Sequence, residues 1–143
     1  MKVDALLARK GSSVVTLRPE QSLEEAVRAL TAHRIGALVI SSDGVTVEGI
    51  LSERDVVAHL DARGPDVLGS PVSQVMVTDV HTCARGDDVA SLMAVMTNRR
   101  IRHLPVLEDG RLAGMISIGD VVKARVDELE EDRDRLHEYI GAR

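Results

Sequence analysis

With 143 residues, 44% of them hydrophobic and 29% charged, the chain has an ordinary globular balance, and its lack of Phe and Trp requires an aliphatic core. No apolar run approaches the roughly 18–20 residues of a membrane span, and an acid interrupts the start where a signal peptide would carry its apolar region. The net charge of −5 argues against general nucleic-acid binding, and the lone Cys83 excludes an internal disulfide and suits a reducing, cytoplasmic setting.

In chain order, Val14-Val15-Thr16 reads as a short strand ending in a threonine. A helix follows, with Leu23, Ala26, Val27 and Leu30 on one stripe and Ser22-x-x-Glu25 as its capping box. The run from Ile35 to Ile40 is continuously apolar, as expected of a strand covered on both faces, and Ser41-Ser42-Asp43-Gly44 is turn chemistry. Gly49-Ile50-Leu51-Ser52-Glu53-Arg54-Asp55 then ends a strand and opens a helix. Arg63 to Pro71, rich in Gly and Pro, reads as a connector.

The same order then recurs. Val80-His81-Thr82 matches the first strand at an offset of 66, and Val89, Leu92, Met93 and Met96 form the second helical stripe, capped by Asp87 or Asp88. Arg100-Ile101 matches Arg34-Ile35, and Asp109-Gly110 is the second turn. At an offset of 65 comes Gly114-Met115-Ile116-Ser117-Ile118-Gly119-Asp120. The expected architecture is α/β (α+β): two β-α-β-β-α units over residues 1–64 and 70–126, packed about a pseudo-twofold axis. From Val121 onward the pattern lengthens into an amphipathic helix that extends past the second unit over 127–143, with Val122, Val126, Leu129, Leu136 and Ile140 on a narrow seam, Arg133 interrupting it, and Glu131 paired with Arg135. That helix either folds back on its own domain or pairs across a homodimer.

The doubled Gly-x-x-Ser-x-x-Asp motif has two readings. Ser and the acid three residues on form a capping box for the helix start. The same helix start, with free N–H groups and the positive end of the dipole, is also an anion site. Beside the second copy lies Arg99-Arg100-Ile101-Arg102-His103-Leu104-Pro105, either a solvated cationic patch or a phosphate-binding strand entrance. The first copy carries Gly36 and Ala37 where the second carries Arg102 and His103, so the two clefts differ chemically. Thr16 and Thr82 suit strand edges or a ligand contact, and Pro105, lacking an N–H, suits an edge or a bulge. Gly114 and Gly119 have the spacing of a P-loop but Asp120 replaces its lysine, no Gly-x-Ser-x-Gly is present, and the five histidines show no zinc spacing. No catalytic or metal site is expected.

These two strand-helix-strand-strand-helix copies resemble a tandem pair of cystathionine β-synthase (CBS) domains, a Bateman module, of the stand-alone bacterial type. The resemblance rests on the doubled motif and on Ile101-Arg102-His103-Leu104-Pro105-Val106, which is similar to that family's middle strand. It implies a regulatory module, not an enzyme, that needs no cofactor and binds AMP, ADP or ATP, or NAD or S-adenosylmethionine, in clefts between the copies. Asp55 and Asp120 would hold ribose hydroxyls, Ser52 and Ser117 would meet phosphate beside Arg54 and Gly119, and Thr16 and Thr82 would lie near base and ribose. Arg102 and His103 would face phosphates, with Gly36, Ala37 and Pro105 completing the lining. A homodimer, an unknown regulated partner protein and no nucleic-acid or membrane partner are further implications. The alternative is a structural protein that dimerises through its C-terminal helix.

Overall fold

In the computed structural model, which describes residues 1–141, the two repeats form two three-stranded sheets, each with helices packed against it. The first half contains β1 (Thr16–Leu17), α2 (Leu23–His33), β2 (Ala37–Ile40), β3 (Gly49–Ser52) and α3 (Glu53–Arg63), preceded by α1 (Val3–Lys10). The second contains β4 (Cys83–Ala84), α4 (Val89–Arg99), β5 (His103–Glu108), β6 (Arg111–Ser117) and α5 (Ile118–Gly141). In each sheet the middle strand pairs in parallel with the first and antiparallel with the third. The parallel partner comes first in sequence, which is why a helix crosses between them.

Local chemistry places the helix ends. Ser22 Oγ accepts from the Glu25 N–H, and Glu25 Oε2 accepts from the Ser22 N–H, both at 3.1 Å, the reciprocal box expected of this spacing. In the second half Asp88 caps α4 through the Ala90 N–H at 3.1 Å, while Asp87 takes the Ala84 N–H at 2.8 Å. Helices α2 and α4 both end on an arginine in the left-handed region, Arg34 at φ 53° and Arg100 at φ 54°. Glycine is the usual occupant of that cap, so both repeats keep a side chain where backbone geometry disfavours one.

The cores are built by exchange. Helix α1, which the sequence reading did not predict, buries Val3, Leu6 and Leu7 in the core of the second half with Cys83, Val89, Leu92 and Ile116. The stretch read as a connector instead folds into a 3-10 turn, Pro65–Gly69, that buries Val67 in the first half's core, and a second turn just after it, Val72–Gln74, adds Val72 and Val75. The hydrogen bonds repeat across the two-fold. Val3 N–H donates to Asp87 O at 2.9 Å and Val89 N–H to Met1 O at 3.0 Å; Val72 N–H donates to Gln21 O at 2.7 Å and Leu23 N–H to Ser70 O at 2.9 Å. Each leader thus completes the other repeat, and neither repeat has a closed core from its own residues.

Several local expectations need correction. Pro105 lies in the central strand β5, opposite Met115, not on an edge, and the strand's register shift falls just beyond it, between Val106 and Leu107. In the first half Val39 N–H, at the matching place, donates to Val15 O at 3.2 Å; proline cannot make this bond. Strand β4 accordingly starts only at Cys83, leaving His81 and Thr82 off the sheet, and Thr16 begins β1 rather than ending it. Helix α5 runs from Ile118 to Gly141, and the last two residues of the expected 127–143 extension lie outside the described residues. On α5 Arg135 reaches Asp132 at 3.8 Å rather than pairing with Glu131.

Candidate functional site

Each Gly-x-x-Ser-x-x-Asp stretch runs from a strand end into a helix start. Ser52 Oγ accepts from the Asp55 N–H at 3.3 Å, and Asp55 Oδ2 accepts from the Ser52 N–H at 2.8 Å and its hydroxyl at 2.9 Å. Ser117 and Asp120 repeat the box at 3.1 and 2.9 Å. Both motifs are therefore helix caps, made with Asp in place of the longer acid usual at that position. The cap occupies one carboxylate oxygen. Oδ1 of Asp55 accepts no hydrogen bond from the described residues, so capping leaves one edge of this acid available.

Aliphatic packing does not close the gap beside Asp55. A cleft of about 350 Å³ opens there, lined from the first half by Gly36, Ala37, Ile50, Ser52, Glu53, Arg54 and Asp55. From the second half come Val77, Asp79, Val80, His81, Arg100, Ile101, Arg102 and His103. Of the residues singled out in the sequence, Gly36, Ala37, Ser52, Arg54, Asp55, Arg102 and His103 meet in this one cleft. Thr16, Thr82, Pro105, Ser117, Gly119 and Asp120 are not on its walls. Sequence reasoning missed Val77 to His81, whose signal is indirect: Ile50 and Val77 exchange backbone hydrogen bonds at 3.0 and 2.9 Å, and Pro105 releases His81 from the sheet. Arg100 was legible only as part of the basic run.

The walls are chemically sorted. Ile50, Val77, Val80 and Ile101 give an apolar side. Arg54, Arg100 and Arg102 have no carboxylate within ion-pair distance among the described residues, and they also border an adjoining depression of about 260 Å³. Gly36 is a close contact between the halves: a Cβ there would lie 3.1 Å from the His103 ring. Burial pushes the His103 pKa below its ordinary value and the Lys10 ammonium lowers it further, against the opposing carboxylates of Asp120 and Glu53. The ring is therefore neutral at pH 7, not the cation that a basic run suggests. Cys83 is buried, and burial pushes its thiol up to about 12, so it is an inert core residue.

The corresponding place in the second half is different. Lys10, from the end of α1, donates to Asp120 Oδ2 at 2.6 Å and to the Met115 carbonyl at 2.8 Å. Burial pushes the Asp120 carboxyl up, but the Lys10 ammonium and the Ser117 N–H outweigh it and hold the pKa below the ordinary value. Gly119 stands where the first half has Arg54, and Gly36 where the second half supplies Arg102.

Comparison with known proteins agrees with this architecture. The family model described as the CBS domain matches residues 8–62 and again 72–127. The mitochondrial CBS domain-containing protein CBSX3 of Arabidopsis thaliana is 36% identical over 125 residues, covering 85% of this chain but 61% of the relative, so the chain spans somewhat under two thirds of that protein's length. Among solved structures, the CBS-domain protein ATU1752 of Agrobacterium tumefaciens is 48% identical with a TM-score of 0.84, covering 87% of this chain and 99% of that one. The CBS domain protein PAE2072 of Pyrobaculum aerophilum, solved in complex with AMP, is 25% identical with a TM-score of 0.74, covering 84% of this chain and 89% of that one. Two matched copies that together cover most of its length, joined by exchanged leaders into one body, make this chain a tandem pair of the CBS-domain family.

Proposed function

We propose that the chain is a regulatory module that binds an adenine nucleotide, AMP, ADP or ATP, or a related adenosyl ligand such as NAD or S-adenosylmethionine, and so reports energy or redox state to a partner protein. The observation that carries this reading is the sorting of one open cleft: an apolar wall, a carboxylate edge and three unpaired guanidiniums. Its volume of about 350 Å³ falls in the ~300–1,000 Å³ range of small-molecule sites. Ile50, Val77, Val80 and Ile101 offer a surface for the base. Asp55 Oδ1 accepts from ribose hydroxyls, and Arg54, Arg100 and Arg102 supply forked donors for phosphate. The AMP complex of PAE2072 gives a precedent in the same fold.

Calorimetry with AMP is the direct test. A carboxylate on ribose contributes about 1–3 kcal/mol, so Asp55→Ala weakens binding roughly ten-fold or more. Unchanged affinity in this variant rejects the ribose role.

A second reading has its own observation. On α5, Val122, Val126, Leu129, Leu136 and Ile140 are 45% to 61% exposed, a seam that fits a helix of a second copy. Homodimerisation along it is compatible with nucleotide binding, and it stands alone if a thermal-shift screen finds no stabilising adenine or guanine nucleotide. A reducing, cytoplasmic location accords with the single buried thiol. Among the described residues no helix is long and apolar enough to cross a membrane.

A further inference from the structure

The two leaders that exchange between the halves differ in length at one point. Leu7 packs on Gly114 as Met76 packs on Gly49, so these two residues are equivalent. From there to the first strand, Leu7 and Val14 are seven positions apart where Met76 and Val80 are four apart. The second leader turns extended at once, and its Val77 N–H donates to the Ile50 carbonyl at 2.9 Å on the wall of the open cleft. The first leader stays helical for nearly another turn, to Lys10. Its ammonium then reaches the Met115 carbonyl, the counterpart of Ile50 O, at 2.8 Å, and Asp120, the counterpart of Asp55, at 2.6 Å.

Lys10 thus meets the counterparts of two walls of the open cleft, with one charged group standing where the other half has a backbone N–H. The side chains of Lys10 and Asp120 are 32% and 23% exposed, so the pair is partly withdrawn from water. Of the open cleft's three arginines, Arg54 has Gly119 as its counterpart and Arg102 has Gly36, and only Arg100 is matched by another arginine, Arg34. We propose that Lys10 is a built-in occupant of the second cleft: its ammonium, on the same Oδ2 that caps the helix, neutralises Asp120 and stands against the carboxylate, limiting the chain to one adenosyl ligand. This rests on the reading of the first cleft as an adenosyl site. The added helical turn is what converts a symmetric pair of clefts into one receptive and one latched.

Adenosine is the suitable probe, because without a phosphate its binding tests the carboxylates rather than the unequal arginines of the two clefts. Calorimetry on the full chain is expected to give one adenosine per chain in the wild type and in Lys10→Arg, which keeps the cation, and two in Lys10→Met. One site in both wild type and Lys10→Met, or two in the wild type, overturns the latch while leaving the first cleft's role intact. No site in the wild type but one in Lys10→Met overturns the reading of the first cleft and keeps the latch; no site in either overturns both. Should Lys10→Met fail to fold, amide NMR shifts of the wild type decide the matter. Adenosine is expected to move Ser52 to Asp55 and leave Ser117 to Asp120 in place, and comparable movement of both sets overturns the proposal.

Discussion

The two halves carry the same seven-residue turn, cap their helices with the same serine and aspartate, and swap leaders by matching hydrogen bonds, yet only one of the two aspartates meets a cation from the leader that reaches it. The two caps make the same pair of backbone bonds, and Ser52 alone also donates its hydroxyl to its aspartate. What differs is what arrives from elsewhere in the chain: an extended segment and three arginines on one side, a helical turn and a lysine on the other. In a duplicated fold, the motif preserves the cap while the segments reaching it set the chemistry. A site in such a protein is therefore a property of the exchanged leaders as much as of the repeat itself.

The largest effect tests the exchange. Leu7 is almost fully buried in the second core although α1 precedes the first repeat. Truncating a buried leucine costs about 2–5 kcal/mol, so Leu7→Ala should lower the unfolding free energy in urea by that amount. A loss below about 1 kcal/mol, as for a surface substitution, would mean that α1 is a detachable appendage rather than part of that core.

Next in size is the arginine side of the comparison. Arg102 borders the open cleft, and its counterpart by repeat is Gly36. Loss of one charge-assisted contact to phosphate corresponds to roughly ten-fold in affinity. Arg102→Ala is expected to weaken AMP by about that factor and to leave adenosine unchanged. Equal losses for both ligands in calorimetry would show that Arg102 shapes the cleft without reading phosphate.

Much of this was legible before the structure. Capping boxes are encoded within four residues, so Ser22, Ser52 and Ser117 could be read directly, and the repeat offset paired the strands correctly. The second half's basic run and the first half's Gly36-Ala37 already indicated unequal clefts. What could not be read is non-local. Nothing in the spacing of Val3, Leu6 and Leu7 says that they belong to a core more than seventy residues away, and the Gly- and Pro-rich letters of 63–71 hide Val67 as a core residue. Lys10 was invisible for the same reason, since its partner is 110 positions distant. The charge of His103 misled, because a basic neighbourhood in sequence became a half-buried ring against Gly36 in space.

The smallest effect concerns that ring, which lies where the halves touch. Burial comes first in lowering the His103 pKa, followed by Lys10, with Asp120 and Glu53 opposing and Arg102 adding slightly. The unfolded chain therefore takes up this proton at a higher pH than the folded one does. Linkage fixes the sign: the histidine costs nothing above the unfolded value of about 6.5, and stability falls as pH drops below it, until the folded ring also protonates. Asp120 titrates in a separate window, because its folded pKa is depressed and its contribution is lost only as pH falls through the carboxylate range. Urea unfolding between pH 7.5 and 5.5 thus isolates His103, with a decline bounded by about 1.4 kcal/mol per pH unit. His103→Gln should flatten that decline, and Lys10→Met should reduce it by removing a nearby positive charge. A slope that persists in His103→Gln would assign it to another group, and the ring would then be an ordinary surface histidine rather than the neutral contact between a glycine and the latched cleft.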